Sequence, residues 1–207
     1  MIKRINFIWI GSQLPDWADA NIKEFVRLNP DYEVNVYGDK VLLPEYKELY
    51  GKIKYNESKA DLLRYSVLQQ FGGWYFDVDF WPLRPIQDII DEYNITDETF
   101  FLTKQQWNNP KLPYANAVLY SDKYNWDNIN KEILKIKDPN YQTVFGPALI
   151  NRLLYDEEFT VGEADMFYPY NKEDAIMAYR AIVNDCDLTF KNNPFMIHLW
   201  AGGKRDI

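Results

Sequence analysis

The sequence has a single cysteine, Cys186, and a single histidine, His198, among 207 residues. One cysteine excludes an intrachain disulfide framework and fits a reducing compartment, which leaves Cys186 as a small core or surface residue. Basic side chains are scarce too. Against 31 acidic residues stand 23 lysines and arginines, a net charge of -8, and no cluster of bases stands out. Nucleic-acid affinity rests on clustered bases neutralising phosphates, so a nucleic-acid partner is not expected. Small anions held through a metal remain compatible. No apolar run reaches the length of a membrane span. The run from Ile5 to Ile10 in MIKRINFIWIGSQLP contains Asn6 and ends at Gly11, too short for the hydrophobic region of a signal peptide. The expectation is a cytoplasmic protein with no transmembrane segment. Repeats, low-complexity tracts and Pro/Ser linkers are missing as well, so one domain over residues 1–207 is expected.

Aromatic residues are plentiful, at 17% of the chain with 16 tyrosines. Such a content suits stacking on flat or ring-shaped ligands, although most aromatics in most proteins pack the core. The hydrophobic pattern alternates strand and helix. Ile5 to Ile10 reads as a buried strand, Asp16 to Leu28 as a helix opened by Pro15 and followed by Pro30, and Glu33 to Tyr37 as a second strand. This succession opens an α/β fold with a largely parallel sheet. A helix is predicted over Ser58 to Phe71, with Ser58 and Asp61 in the spacing of a capping box and Gly72-Gly73 ending it. Further strands are predicted at 100–103, 117–120 and 195–199, and further helices at 126–136, 147–154 and 174–183.

The stretch GGWYFDVDFWPL at 72–83 places Asp77 and Asp79 two apart inside one of the most hydrophobic segments. On a continuous strand the two would project on the same face as Tyr75, opposite Trp74, Phe76, Val78 and Phe80. Burying two neighbouring carboxylates is costly unless a cation offsets them, and a D-x-D pair supplies oxygen ligands to a hard divalent ion. A chance pair of surface aspartates is the competing explanation, and the hydrophobic flanks and preceding glycines count against it. Asp61 and Arg64, three apart, share a helix face just upstream. They read either as a cap and a surface ion pair or as groups that hold a phosphate and sugar hydroxyls. His198 ends an apolar run two residues before Trp200 and is followed by Gly202, Gly203, Lys204 and Arg205. It reads as a core histidine or as an imidazole brought to a metal beside a basic loop. In an α/β sheet ligands bind at the carboxyl ends of strands, where Trp9, Asp77 and Asp79 are expected.

Taken together these segments resemble the glycosyltransferases of the family with a sugar-binding region containing a DXD motif. That family includes family 32 mannosyltransferase-like and capsule-type enzymes, with the glucosyltransferase domains of large clostridial toxins as distant relatives. INFIWIG at 5–11 is similar to its opening strand, NPDYEVNVYGD at 29–39 to its second, and SKADLLRYSVLQQFGGWYFDVDFWPLRPI at 58–86 is the most specific match. VFGPALI at 144–150, MFYPY at 166–170 and HLWAGG at 198–203 are similar to later family elements.

The resemblance implies a GT-A fold, a Rossmann-like mixed sheet flanked by helices, a nucleoside-diphosphate sugar donor, and Mn²⁺ or Mg²⁺. It puts Trp9, Ile10, Gly11 and Tyr75 at the nucleotide, with Trp9 stacked on the base. Asp61 and Arg64 would hold the sugar, Asp77 would touch ribose or sugar, and Asp79 would ligate the metal with help from Asp77 and His198. Lys204 would meet the diphosphate. Two departures stand out: Phe145 occupies the position where the family usually has Thr before Gly146-Pro147, and Gly203-Lys204 replaces the usual Ser-Trp, leaving His198 or Lys204 to substitute.

The leading expectation is a metal-dependent, retaining glycosyltransferase that moves a sugar, from a UDP-sugar or from GDP-mannose, to a hydroxyl acceptor. The acceptor is expected to be a glycan or a lipid-linked oligosaccharide, in surface polysaccharide or oligosaccharide synthesis, with a protein or a modified nucleic-acid base as alternatives and the acidic charge weighing against the last. A nucleotide-sugar hydrolase using the same metal on water is a second reading. A carbohydrate-binding module built on Trp74, Trp81, Trp107 and Trp126 is a third, although ordinary packing accounts better for these rings.

Overall fold

The computed structural model describes residues 1–106, 112–140, 144–153, 159–184, 186, 190 and 192–200. Strand β1 (Arg4–Ile8), helix α1 (Asp16–Leu28) and strand β2 (Glu33–Tyr37) open the chain, followed by two short 3-10 turns and helix α2 (Lys47–Lys52). Helix α3 (Asn56–Phe71), strands β3 (Gly73–Phe76) and β4 (Phe80–Pro82) and helix α4 (Ile86–Tyr93) come next. Then follow β5 (Phe101–Lys104), β6 (Tyr114–Ser121), α5 (Asp127–Leu134), α6 (Pro147–Leu153), β7 (Thr160–Gly162), α7 (Ala164–Phe167), α8 (Lys172–Val183) and β8 (Met196–His198).

Six strands form one sheet in the order β2-β1-β3-β6-β5-β7, and β4 pairs with β8 in a separate two-stranded ribbon. Within the six, β6 alone runs against its neighbours, pairing antiparallel with β3 and β5, while the β1–β2, β1–β3 and β5–β7 pairs are parallel. Helices cover both faces, giving the GT-A type of α/β fold expected from the sequence. One face packs Ile5, Phe7, Trp74 and Phe76 of the sheet against Ala18, Ile22 and Phe25 of α1 and Ile86, Ile89 and Ile90 of α4. The opposite face packs Ile8, Tyr75 and Leu102 against Leu62, Leu63 and Tyr65 of α3 and Leu149 and Ile150 of α6. Trp74 is fully buried. Removing an aromatic ring of that size from water is worth roughly 4–6 kcal/mol, from about 150–250 Å² at ~25 cal/mol per Å².

This topology creates a crevice. From β1 the chain crosses by α1 to β2 on one side, then by α3 to β3 on the other, and α1 and α3 lie on opposite faces of the sheet. The strand order therefore reverses at β1, and the space beyond the carboxyl ends of β1 and β3 is left open by the diverging connections. Gly73 makes the tight entry into β3 possible: its φ is +87°, and a Cβ there would lie 2.6 Å from the Arg4 carbonyl oxygen. Only glycine meets both conditions without strain.

Several sequence expectations are corrected. The first strand stops at Ile8, so Trp9 and Ile10 lie past its end. Helix α3 starts at Asn56 with Tyr55 as its N-cap and no side-chain cap, so Ser58 and Asp61 form no capping box. Ser58 is buried instead, and Asp61 is turned inward by partners far away in sequence. Asp77 and Asp79 are not on a strand: β3 ends at Phe76, and a turn closed by the Phe80 N–H donating to the Asp77 carbonyl (3.2 Å) separates it from β4. Helices α2, α4 and α7 and strand β7 were not expected, and the continuous strand expected through Phe80 is split into β3 and β4. No helix among the described residues is long and apolar enough to cross a membrane.

Candidate active site

The turn that carries Asp77 and Asp79 is fixed from three sides by backbone hydrogen bonds. The Asp77 N–H donates to the Ala117 carbonyl on β6 (2.9 Å), and the Leu199 N–H donates to the Asp79 carbonyl (2.7 Å). Asn21 of α1, fully buried, donates its side-chain amide to the Val78 carbonyl (2.9 Å). Val78 and Phe80 remain in the same apolar layer as Trp74 and Phe76, which anchors the turn while both carboxylates stay on the crevice side.

Arg64 is the electrostatic centre of the site. Its guanidinium is 4% exposed and sits 2.9 Å from Asp61 Oδ1 and 3.1 Å from Asp77 Oδ1. It also donates to the Asn116 carbonyl and lies over the Tyr75 ring at 4.6 Å. Burial works against the charge on Arg64, and Asp77, Tyr75 and Asp61 outweigh it, so the group stays protonated. Burial pushes the Asp61 carboxyl above its ordinary pKa, opposed by Arg64 and by the Asn116 amide, which donates to Asp61 Oδ1 at 2.9 Å. Asp77 is likewise raised by burial, opposed by Arg64, with Asp79 pushing it further up. Tyr75 donates its hydroxyl to Asp77 Oδ1 (2.7 Å), and burial raises the pKa of that hydroxyl well above its usual value.

Gly146 adjoins this network. A Cβ at that position would come 2.9 Å from Asp61 Oδ2 and 3.4 Å from Asn116 Oδ1, so the start of α6 packs directly on the charged cluster. Phe145, which departs from the resemblance, contributes its carbonyl: Tyr65 donates its hydroxyl there at 2.6 Å. The Phe145 side chain itself is buried in the core under α3 and α6.

Asp77, Asp79 and His198 form the one group of metal-ligand type among the described residues. Each offers a ligand atom within 4.8 Å of the others. His198 Nε2 lies 3.1 Å from Asp79 Oδ1, and β8 brings it there by pairing with β4, where His198 is opposite Phe80. Its Nδ1 is buried without a hydrogen-bond partner among the described residues. One imidazole and two neighbouring carboxylates with ligand atoms this close, one of those carboxyls disfavoured as an anion by burial and by the other's charge, form a donor set that fits a divalent cation.

The crevice above these groups has a volume of about 770 Å³. Trp9, Ile10, Gly11, Asp61, Arg64, Tyr75, Asp77 and Asp79 all line it. The Trp9 indole donates to the Ser12 carbonyl (2.8 Å) and meets Trp17 edge to face at 6.2 Å, so its orientation is set before any ligand arrives. The structure thus gathers every site residue expected from the sequence except Lys204, which lies outside the described residues together with Gly202, Gly203 and Arg205. Of the four tryptophans weighed for a carbohydrate-binding module, Trp74 and Trp126 are buried, Trp81 packs edge to face on Tyr179 at 5.1 Å, and Trp107 lies outside the described residues.

Asn116, Asn21 and Tyr168 belong to the site without having been anticipated. Asn116 sits in the otherwise apolar strand β6 and ties Asp61 and Arg64 together. A polar residue amid YANAVLY was a legible signal, since a buried amide requires partners. Tyr168 lay within MFYPY, a segment similar to a family element but with no role attached, and Asn21 gave no signal, because its role depends on a contact 57 residues away.

Comparison with known proteins agrees with this geometry. Residues 15–96 match the family model described as "Glycosyltransferase sugar-binding region containing DXD motif". The chain is 32% identical over 85 residues to inositol phosphoceramide mannosyltransferase 3 of Schizosaccharomyces pombe, covering 37% of this chain and 24% of that protein. The chain thus spans about a quarter of the length of that relative. Among solved structures, the apo form of the glycosyltransferase GlyE of Streptococcus pneumoniae aligns with a TM-score of 0.62 at 14% identity, over 98% of this chain and 55% of that one. The UDP-bound glycosyltransferase domain of the YGT toxin aligns with a TM-score of 0.57 at 10% identity, over 91% and 87%.

Proposed function

We propose, from a chain that carries the DXD-type sugar-binding region of glycosyltransferases on a GT-A fold, that the protein transfers one sugar from a nucleoside-diphosphate sugar to a hydroxyl acceptor. The observation that carries this reading is the shared Asp77, which joins the buried Asp61–Arg64–Asp77 cluster to the Asp77–Asp79–His198 group beside one crevice. A UDP-sugar is the favoured donor, with GDP-mannose as the alternative. The acceptor is a glycan, a lipid-linked saccharide or a protein, with surface polysaccharide or oligosaccharide synthesis as the setting. The cytoplasm is the proposed location, in keeping with the lone exposed Cys186.

Asp79, Asp77 and His198 would hold Mn²⁺ or Mg²⁺, which when bound supplies Lewis-acid stabilisation of charge on a diphosphate. The remaining work falls to the protein. Trp9 offers a preset aromatic face to the base. Arg64, held charged and rigid, and Asp61, which accepts from hydroxyls, orient the transferred sugar, so that its anomeric carbon lies next to Asp77. In the transfer the acceptor oxygen bonds to the anomeric carbon and the bond from that carbon to the diphosphate oxygen breaks. The electron pair leaves with the nucleoside diphosphate, which also takes the acceptor's proton. Asp61 and Asp77 are already engaged by Arg64, and Asp79 lies against His198. Among the described residues the crevice's other carboxylate is the exposed Glu57, on the first turn of α3, and retention of configuration is the proposed outcome.

Calorimetric titration with UDP and with GDP tests the nucleotide and metal assignment together. One of the two should bind at least about 10-fold more tightly with Mn²⁺ than with EDTA, a gain of about 1.4 kcal/mol. Equal affinity in both conditions would remove the metal from the account.

A further inference from the structure

Helix α1 buries four side chains against the sheet: Ala18, Asn21, Ile22 and Phe25. Asn21 is the polar one, and it is fully buried. Its Nδ2 donates to the Val78 carbonyl at 2.9 Å, while its Oδ1 is buried with no hydrogen-bond partner among the described residues. A carbonyl only accepts, so the NH₂ end of the amide is the end that faces Val78. Packing alone gives no reason for this residue, because an apolar side chain of the same size would fill the layer and leave no acceptor unpaired. The bond to the turn supplies the reason.

Val78 is the middle residue between Asp77 and Asp79. Other backbone bonds fix the two ends of the turn: the Asp77 N–H donates to Ala117, the Phe80 N–H donates to the Asp77 carbonyl, and the Leu199 N–H donates to the Asp79 carbonyl. The peptide that joins Val78 to Asp79 is left to Asn21, which holds its carbonyl. Rotation of that rigid peptide would re-aim Asp79, whose Oδ1 lies 3.1 Å from His198 Nε2 and whose ligand atom lies within 4.8 Å of those of Asp77 and His198. The Val78 side chain packs in the same apolar layer as Ala18 and Ile22, so α1 grips this residue by both its side chain and its carbonyl. One helical turn before Asn21, Trp17 lines the crevice and meets Trp9 edge to face at 6.2 Å. The same helix thus braces the carboxylate turn and the aromatic wall.

We propose that Asn21 is a positioning residue for the cation site: its bond to the Val78 carbonyl fixes the aim of Asp79 relative to Asp77 and His198. This rests on the metal assignment made with the transferase reading above. It adds to that reading a residue that touches neither ion nor substrate and whose loss weakens the hold on the cation, as loss of groups that orient metal ligands does.

Mn²⁺ binding to the full chain tests this, titrated by electron paramagnetic resonance with and without UDP or GDP, with nucleotide and Mn²⁺ in the absence of protein as the blank. Asn21→Leu keeps the size of the side chain and removes the donor; Asn21→Ser is a smaller, polar replacement that keeps the test open where leucine fails to fold. Each should weaken Mn²⁺ binding roughly 10- to 100-fold and raise the Mn²⁺ concentration for half-maximal nucleotide release to match, with the rate at saturating Mn²⁺ kept within about 3-fold. Ile22→Ala opens a cavity in the same layer without touching the turn, so it should lower Tm yet leave Mn²⁺ affinity within about 2-fold. Unchanged Mn²⁺ affinity in the folded Asn21 variants, or an equal loss in Ile22→Ala, would overturn the inference and leave the metal assignment standing. A parent protein that binds no Mn²⁺, alone or with either nucleotide, would overturn the metal assignment and the role of Asn21 together.

Discussion

Asp79→Asn should lower metal-dependent nucleotide release by roughly 100- to 1,000-fold while leaving a folded protein, an effect of the size seen when one preorganised charge is taken from a transition state. The substitution keeps the shape of the side chain and removes its charge. The carbonyl of residue 79 would still accept from the Leu199 N–H, and the Asn21 amide would still hold the Val78 carbonyl, so the turn persists. What changes is the ligand set: one anionic oxygen beside His198 Nε2 is lost, and Asp77 is left as the only carboxylate of the three. Steady-state release with saturating Mn²⁺, alongside circular dichroism for the fold, measures this. Activity within a factor of two of the parent protein would mean that Asp79 holds no metal the reaction needs.

Arg64→Met should be the most damaging substitution for stability, costing about 3–5 kcal/mol, the usual penalty for removing one partner of a buried ion pair. Arg64 is 4% exposed and is shared by Asp61 and Asp77, whose carboxyls are both already pushed up by burial. Methionine fills much of the volume, so the loss isolates the electrostatic contribution from a cavity effect. Two uncompensated carboxylates would then share a site of low polarity. A loss of that size lowers Tm by about 6–20 °C for a chain of this length, at about 2–4 °C per kcal/mol. Adding Asp61→Asn to Arg64→Met removes one of the two stranded charges and should recover part of the loss. A thermal melt of the single and double variants gives the answer. A single-variant loss below about 1 kcal/mol would show that the cluster is solvated and not the buried triad described here.

How far the sequence alone reached is best judged from particular residues. Helix α1 and strand β2 fall where they were expected to the residue, because Pro15 and Pro30 punctuate the helix and Val34 and Val36 alternate cleanly. Helix α4 carries a readable signal: Pro85 precedes Ile86, Ile89 and Ile90, at helical spacing, and all three are buried. Strands β4 and β7 have three residues each, too few for periodicity to register. The paired aspartates were legible as a pair, but not their setting. Alternation along a strand gave the correct apolar layer for Val78 and Phe80, while the turn that takes both carboxylates out of the sheet depends on Asn21, Ala117 and Leu199. Asp61 shows the same limit. Local spacing suggested a helix cap or a pair with Arg64; the pair with Arg64 is present, and the long-range partner Asn116 turns Asp61 inward. Local signals thus account for the elements, and long-range hydrogen bonds account for the site.

The most direct measurement is nucleotide release from a panel of UDP-, GDP- and CMP-sugars, with Mn²⁺ and with EDTA. The account predicts slow release from one donor class, present with Mn²⁺ and reduced at least 100-fold by EDTA, consistent with a cation held at Asp77, Asp79 and His198. Release from no donor, combined with no nucleotide binding in either condition, would contradict it.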